Sequence, residues 1–144
     1  MIFKVLHSSK AKKLNLFKYL VKWDVKVSRG GKKNFGAFQY NVKQLLRKYW
    51  EDDLVLEEMS VPAIKGEGGK SLDLVNITKS IIVEVQGDHH NKMGWMHKDN
   101  EDFRKQLAND SFKIRWAELN GFSFHEIYED DELDDELLRK LNII

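Results

Sequence analysis

Asp73 and the triplet Glu84-Val85-Gln86 carry the residue types and spacing most able to do chemistry. In the stretch Ser71–His90, two runs rich in Val, Ile and Leu flank the short polar turn Asn76–Lys79, the pattern of a β-hairpin. Side chains alternate faces along a strand, so Glu84 and Gln86 share a face. With a loop of two or four residues centred on Ile77 and Thr78, Asp73 lies on that face beside them. An acid on each of two adjacent strands makes a pocket for a hard divalent cation. Mg²⁺ takes one or two carboxylates plus waters and substrate phosphate oxygens. The chemistry such a pocket supports is metal-assisted phosphodiester hydrolysis. The competing reading is a sheet with one solvated face on which both acids simply point outward.

The elements that must position these acids follow from periodicity. Ser8-Ser9 can cap a helix over roughly Lys10–Lys26, with Leu14, Phe17, Leu20 and Val21 at helical spacing. A basic, glycine-bearing loop covers 28–34. A second helix spans about Gly36–Trp50, burying Phe38, Val42, Leu45, Leu46 and Tyr49. A strand at Leu54–Met59, a loop from Pro62 through Gly69 and the hairpin at about Lys70–Gln86 come next. Gly87–His97 reads as irregular and His-rich. Asn100–Asn120 is a strong helix with Phe103, Leu107, Phe112, Trp116 and Leu119 at mixed three- and four-residue spacing, stopped by Asn120-Gly121. A last strand at Phe122–Ile127 and an acidic helix at about Asp131–Leu141 close the chain. The acids of Glu126–Glu136 lack calcium-loop spacing and suit a helix start.

A chain of 144 residues, 42% hydrophobic and 33% charged, suits one ordinary domain. It has no cysteine, so neither a disulfide framework nor a thiolate metal site is available. The N-terminal Met-Ile-Phe-Lys-Val-Leu-His lacks the apolar run of a signal peptide, and no 18-residue apolar stretch exists. These features predict a cytoplasmic protein without membrane partners. The net charge of +1 hides a split. Residues 1–50 hold 13 Lys/Arg and one acid, Asp24, while residues 51–144 hold 11 Lys/Arg and 22 acids. Such a split predicts a basic extension, 1–34, that binds a polyanion ahead of a core at 35–144. Mutual neutralisation of the two halves within one fold is the plainer alternative. Lys12, Lys13, Arg29, Lys32 and Lys33 are placed to neutralise phosphates of double-stranded DNA. Gln39, with Arg29 and Asn34, is available for base edges.

Leu72-Asp73-Leu74-Val75, followed by Val83-Glu84-Val85-Gln86-Gly87 and His90, resembles the PD-(D/E)XK nuclease superfamily. Within it, the chain is most similar to the branch of very-short-patch repair endonucleases and phage homing endonucleases. Asp110 and the ending Leu119–Ile127 extend that likeness over about residues 36–130. The resemblance implies an α/β, restriction-endonuclease-like core: a mixed sheet of about four strands flanked by helices, here with the basic N-terminal helical extension. It implies a Mg²⁺-dependent DNA endonuclease, with Mn²⁺ as substitute, acting in the host cytoplasm if phage-encoded. Asp73 would be the principal metal ligand and Glu84 would assist it. Gln86 stands where lysine is usual and could orient the attacking water, but it brings no positive charge. His90 would act as general base or acid, and Asp110 would fix its tautomer. Some members use an upstream acid, for which Glu57 and Glu58 are equal candidates.

Other readings of the same residues stay open. His89, His90 and His97 could hold zinc, although adjacent histidines in an extended segment point opposite ways. Trp95 and Met96 could wedge between bases or cap the core. A non-catalytic nucleic-acid-binding module on the same fold, or a nuclease for branched DNA or RNA, fits the Gln86 departure. A double-strand cut would require a homodimer or sequential nicking.

Overall fold

The computed structural model describes residues 1–26, 35–63, 70–87 and 111–144. In chain order these form β1 (Ile2–Lys4), β2 (Ala11–Lys13), a 3-10 turn (Leu16–Tyr19), α1 (Phe35–Trp50), β3 (Val55–Ser60), β4 (Ser71–Asn76) and β5 (Ile81–Gln86). They continue with a helical segment over 111–119, here α2, then β6 (Ser123–Tyr128) and α3 (Asp135–Lys140). The sheet order is β3-β4-β5-β6. β3, β4 and β5 are antiparallel neighbours, and β6 runs parallel to β5. A parallel neighbour requires a crossover, and α2 lies in that connection. The result is a mixed α/β fold: a four-stranded mixed sheet flanked by helices.

Apolar side chains leave the sheet on both faces. One cluster joins Leu56, Met59, Leu72, Val75 and Ile82 to Phe112, Trp116 and Ala117 of α2 and to Phe3. The other joins Val55, Leu74, Val83, Val85 and Ile127 to Val42, Leu45, Leu46 and Trp50 of α1 and to Leu138 of α3. Leu72–Asn76 and Ile81–Val85 are therefore buried throughout. The reading with one solvated face fails, because helices cover both sides. α1 and the last strand match their expected spans closely. α3 is shorter than expected, with Asp134 as its cap accepting from Leu137 N–H at 2.9 Å. The expected stop at Gly121 holds, with φ +77 in the left-handed region. The loop at 28–34, the His-rich stretch from 88 and residues 100–110 of the predicted helix lie outside the described residues.

The predicted helix over Lys10–Lys26 does not form. A β1–β2 hairpin and a single 3-10 turn replace it. A helix buries one stripe, whereas this segment must feed both apolar clusters. Leu14, Leu16 and Tyr19 pack on the α2 side, while Val21 and Trp23 pack on the α1 side. The chain achieves this by crossing the open edge of β3. Leu20 bridges Leu56, and Val21 N–H donates to the Val55 carbonyl at 3.0 Å. The edge strand thereby gains a cover.

The β4–β5 turn is braced from below. Asn76 is fully buried; its amide donates to Asp53 Oδ2 at 2.9 Å, and its Oδ1 accepts from Lys79 N–H at 2.8 Å. Lys79 also pairs with Asp53, and these contacts, Lys79 first and Asn76 second, hold the Asp53 carboxyl below its ordinary range. Ser80 closes the turn with φ +57. Among the described residues, no helix is long and apolar enough to cross a membrane. Asn76→Ala strips two bonds from a buried site and is expected to lower the unfolding free energy by about 2 kcal/mol, read as a reduced urea midpoint with unchanged slope.

Candidate active site

The hairpin register pairs Asn76 with Ile81, Val75 with Ile82 and Leu74 with Val83, and there the backbone ladder stops. The turn is centred one residue later than expected, and Asp73 and Glu84 lie just beyond the last paired residues. At this point side chains take over from the ladder. Asp73 N–H donates to Glu84 Oε2 at 2.8 Å, and Val85 N–H donates to Asp73 Oδ2 at 2.8 Å. Each acid thus accepts a hydrogen bond from the backbone of the opposite strand. Both are buried, Asp73 at 8% and Glu84 at 1% exposure.

The other edge of β4 is distorted at the same level. β3 pairs Glu57 with Leu74 and Met59 with Leu72, skipping Glu58 and Asp73. Glu58 has φ +53, in the left-handed region. Strict alternation is lost there: Leu72 and Val75 share one cluster, as do Leu56 and Met59. The sheet is therefore kinked where its acids meet.

A cation reaches the pair from α2. Lys113 Nζ lies 2.5 Å from Glu84 Oε1, with the lysine side chain 18% exposed. Packing of Phe112, Trp116 and Ala117 in the core fixes the helix that delivers it. Burial pushes the Glu84 carboxyl up to about 8, the Asp73 charge adds to the rise, and Lys113 opposes it. Near neutral pH the Glu84 carboxyl therefore favours its protonated form unless a cation faces it.

On the α1 side Asp73 borders a recess of about 10 Å³ lined also by Gln39, Lys43, Glu57, Glu58, Leu74 and Val85. Lys43 is 2% exposed. Its ammonium contacts the Lys22 carbonyl at 2.5 Å, the Val25 carbonyl at 2.8 Å and Glu57 Oε2 at 2.7 Å. Those three partners use all of its donors. Glu57 Oε1 accepts from Lys22 N–H at 3.1 Å, and its Oε2 forms the ion pair with Lys43, so Glu57 ties β3 to the 22–25 segment and to α1. Glu58 lines the same recess beside Asp73.

The remaining predicted residues are placed as follows. Gln86 ends β5, half-buried opposite Tyr128, on the Glu84 face by alternation. Lys12 turns its ammonium to the Ala63 carbonyl, while Lys13 is exposed. Gln39 is a correction: it is 4% exposed, and its Oε1 is buried without a hydrogen-bond partner. The phase of α1 aligns it with Val42, Lys43, Leu46 and Trp50, toward the sheet, so it lines the recess and does not present its amide to an outer surface. His90, Asp110, Arg29, Lys32 and Lys33 lie outside the described residues, as do His89, His97, Trp95 and Met96. Lys113 and Lys43 were not foreseen. Their one signal is a lysine at the margin of an apolar helical stripe, which ordinarily marks a solvated position. The chain matches no protein-family model, no curated protein and no solved structure.

Because the Glu84 carboxyl titrates near 4.5 unfolded and about 8 folded, its protonated form stabilises the fold fully below 4.5. That contribution is lost as pH rises through about 8. In EDTA, Glu84→Gln is therefore expected to match wild type in urea midpoint near pH 5 and to exceed it near pH 9. A difference that does not change with pH would contradict the electrostatic assignment.

Proposed function

We propose that this chain is a metal-dependent DNA endonuclease of restriction-endonuclease-like fold, similar to homing or repair nucleases. The observation that carries the reading is the buried Asp73–Glu84 pair, joined across two strands and answered by one ammonium. An antiparallel β3-β4-β5 unit followed by a helix and a parallel β6 supports the fold assignment. The donor set fits a hard cation. Carboxylate oxygens are hard ligands, and two of them suit Mg²⁺, which keeps several waters. Mn²⁺ is the expected substitute. A bound ion would lower the pKa of an attacking water and offset charge building at phosphorus.

Asp73 and Glu84 would hold that ion, with Glu58, and not Glu57, as the upstream acid. Lys113 supplies the positive charge that Gln86 cannot. It brings an ammonium to the same carboxylate from a helix, where it can turn to a phosphate oxygen once Glu84 is engaged elsewhere. Gln86, on the same face, orients water through its amide. His90 and Asp110 keep the proton-transfer roles that the resemblance implies. Exposed lysines of the first 26 residues, Lys13 among them, hold double-stranded DNA through its phosphates. A homodimer would cut both strands.

The test is cleavage of supercoiled plasmid DNA with Mg²⁺ or Mn²⁺. Asp73→Ala and Glu84→Ala should fall to background, and Lys113→Met should slow cleavage by about 10²–10³-fold. Glu58→Gln should lose activity with stability retained, whereas Glu57→Gln should chiefly lose stability. Full activity of either Asp73→Ala or Glu84→Ala removes the assignment. DNA binding that survives EDTA, with no cleavage of duplex, branched DNA or RNA, favours the non-catalytic module.

A further inference from the structure

Phe17 is 83% exposed, the most exposed large apolar side chain among those described. It is not on a loose end. Asn15 caps its 3-10 turn, accepting from Phe17 N–H at 3.1 Å, while Leu16 and Tyr19 on either side pack into the core. The chain then runs along β3, bridging Leu56 and bonding Val55 and Glu57. Glu57 and Glu58 of that strand border the Asp73 recess. Phe17 therefore projects from a capped turn anchored on both sides.

Its surroundings are cationic. Lys10, Lys13, Lys18 and Lys22 are exposed within seven residues of Phe17 in the chain, and no acid precedes Asp24. Neither Lys13 nor Lys18 has an ion-pair partner among the described residues. A single exposed ring is ordinary on a protein surface, but this one is held in place by a capped turn among exposed lysines with no acid nearby in sequence, a field that draws a polyanion. One class of partner offers both a flat apolar face and regularly spaced anions: nucleic acid, through its bases and phosphates.

We infer that the Leu16–Tyr19 turn is a DNA contact in which the Phe17 ring lies against bases while Lys13 and Lys18 take flanking phosphates. The choice of DNA rests on the nuclease reading above; the role of Phe17 does not depend on catalysis. Fluorescence anisotropy with labelled duplex DNA in EDTA, over a series of salt concentrations, tests it. Phe17→Ala should weaken binding about tenfold or more at every salt concentration. Phe17→Trp should restore it. Lys13→Gln with Lys18→Gln should reduce the slope of log affinity against log salt by about two. Phe17 is solvent-exposed, so circular dichroism should show the variants folded. Equal binding by Phe17→Ala and wild type overturns the inference and leaves the nuclease reading intact. Self-association that Phe17→Ala abolishes while DNA affinity is unchanged overturns it in favour of a subunit contact. No DNA binding by wild type, even with Ca²⁺ in place of EDTA, sinks both.

Discussion

Two carboxylates meet in the interior of this protein, and the rest of the structure accommodates that meeting. Asp73 and Glu84 each bond a backbone N–H of the opposite strand, so neither can withdraw without leaving a buried donor unpaired. Yet the Asp73 charge and burial both disfavour a charged Glu84 carboxyl. The backbone fixes the geometry and the charges oppose it. Relief comes from a proton on Glu84, whose carboxyl burial pushes up to about 8, and from the ammonium of Lys113.

The buried Lys43 and the half-buried Lys113, on either side of the sheet, show the difference between structure and potential function. Lys43 has three oxygen partners and a matched acid in Glu57, so its charge is spent on fastening α1 to the 22–25 segment. Lys113 has Glu84 as its partner among the described residues and retains donors to give. Glu57 and Glu58, adjacent in sequence, also differ in setting: Glu57 pairs with Lys43, and Glu58 takes a left-handed backbone. The left-handed turn at Glu58 breaks alternation, so the two side chains no longer face opposite sides of a regular strand. The same distortion frees the edge of β4 at Asp73.

The first 26 residues do more than add positive charge. They cover the open edge of β3 and reach across the molecule, where Lys4 N–H bonds Asn120 Oδ1 at 2.8 Å and Phe3 packs 5.4 Å from the Trp116 ring. Their basic outer surface is thereby held in a fixed position relative to the recess. Charge that could have sat on a mobile tail is instead oriented.

Local pattern was enough for the elements whose cause is local. Alternation and the polar turn set the β4–β5 hairpin, the helical stripe set α1, and Asn120-Gly121 set the end of α2. That Asp73 and Glu84 lie near each other follows from the hairpin, but the bonds between them do not, because the ladder ends before them and alternation is broken at Asp73. The N-terminal segment was misread: its apolar spacing fits a helix, but its side chains serve two clusters on opposite sides of a sheet edge, which single-stripe periodicity cannot express. Lys113 meets Glu84 across 29 residues of chain, and Lys43 meets Glu57 through the packing of a helix on a strand. Such pairings, the inward turn of Gln39, and the separation of Glu58 from Glu57 depend on how elements dock. Docking is decided by burial over the whole chain, which no local window of residues contains.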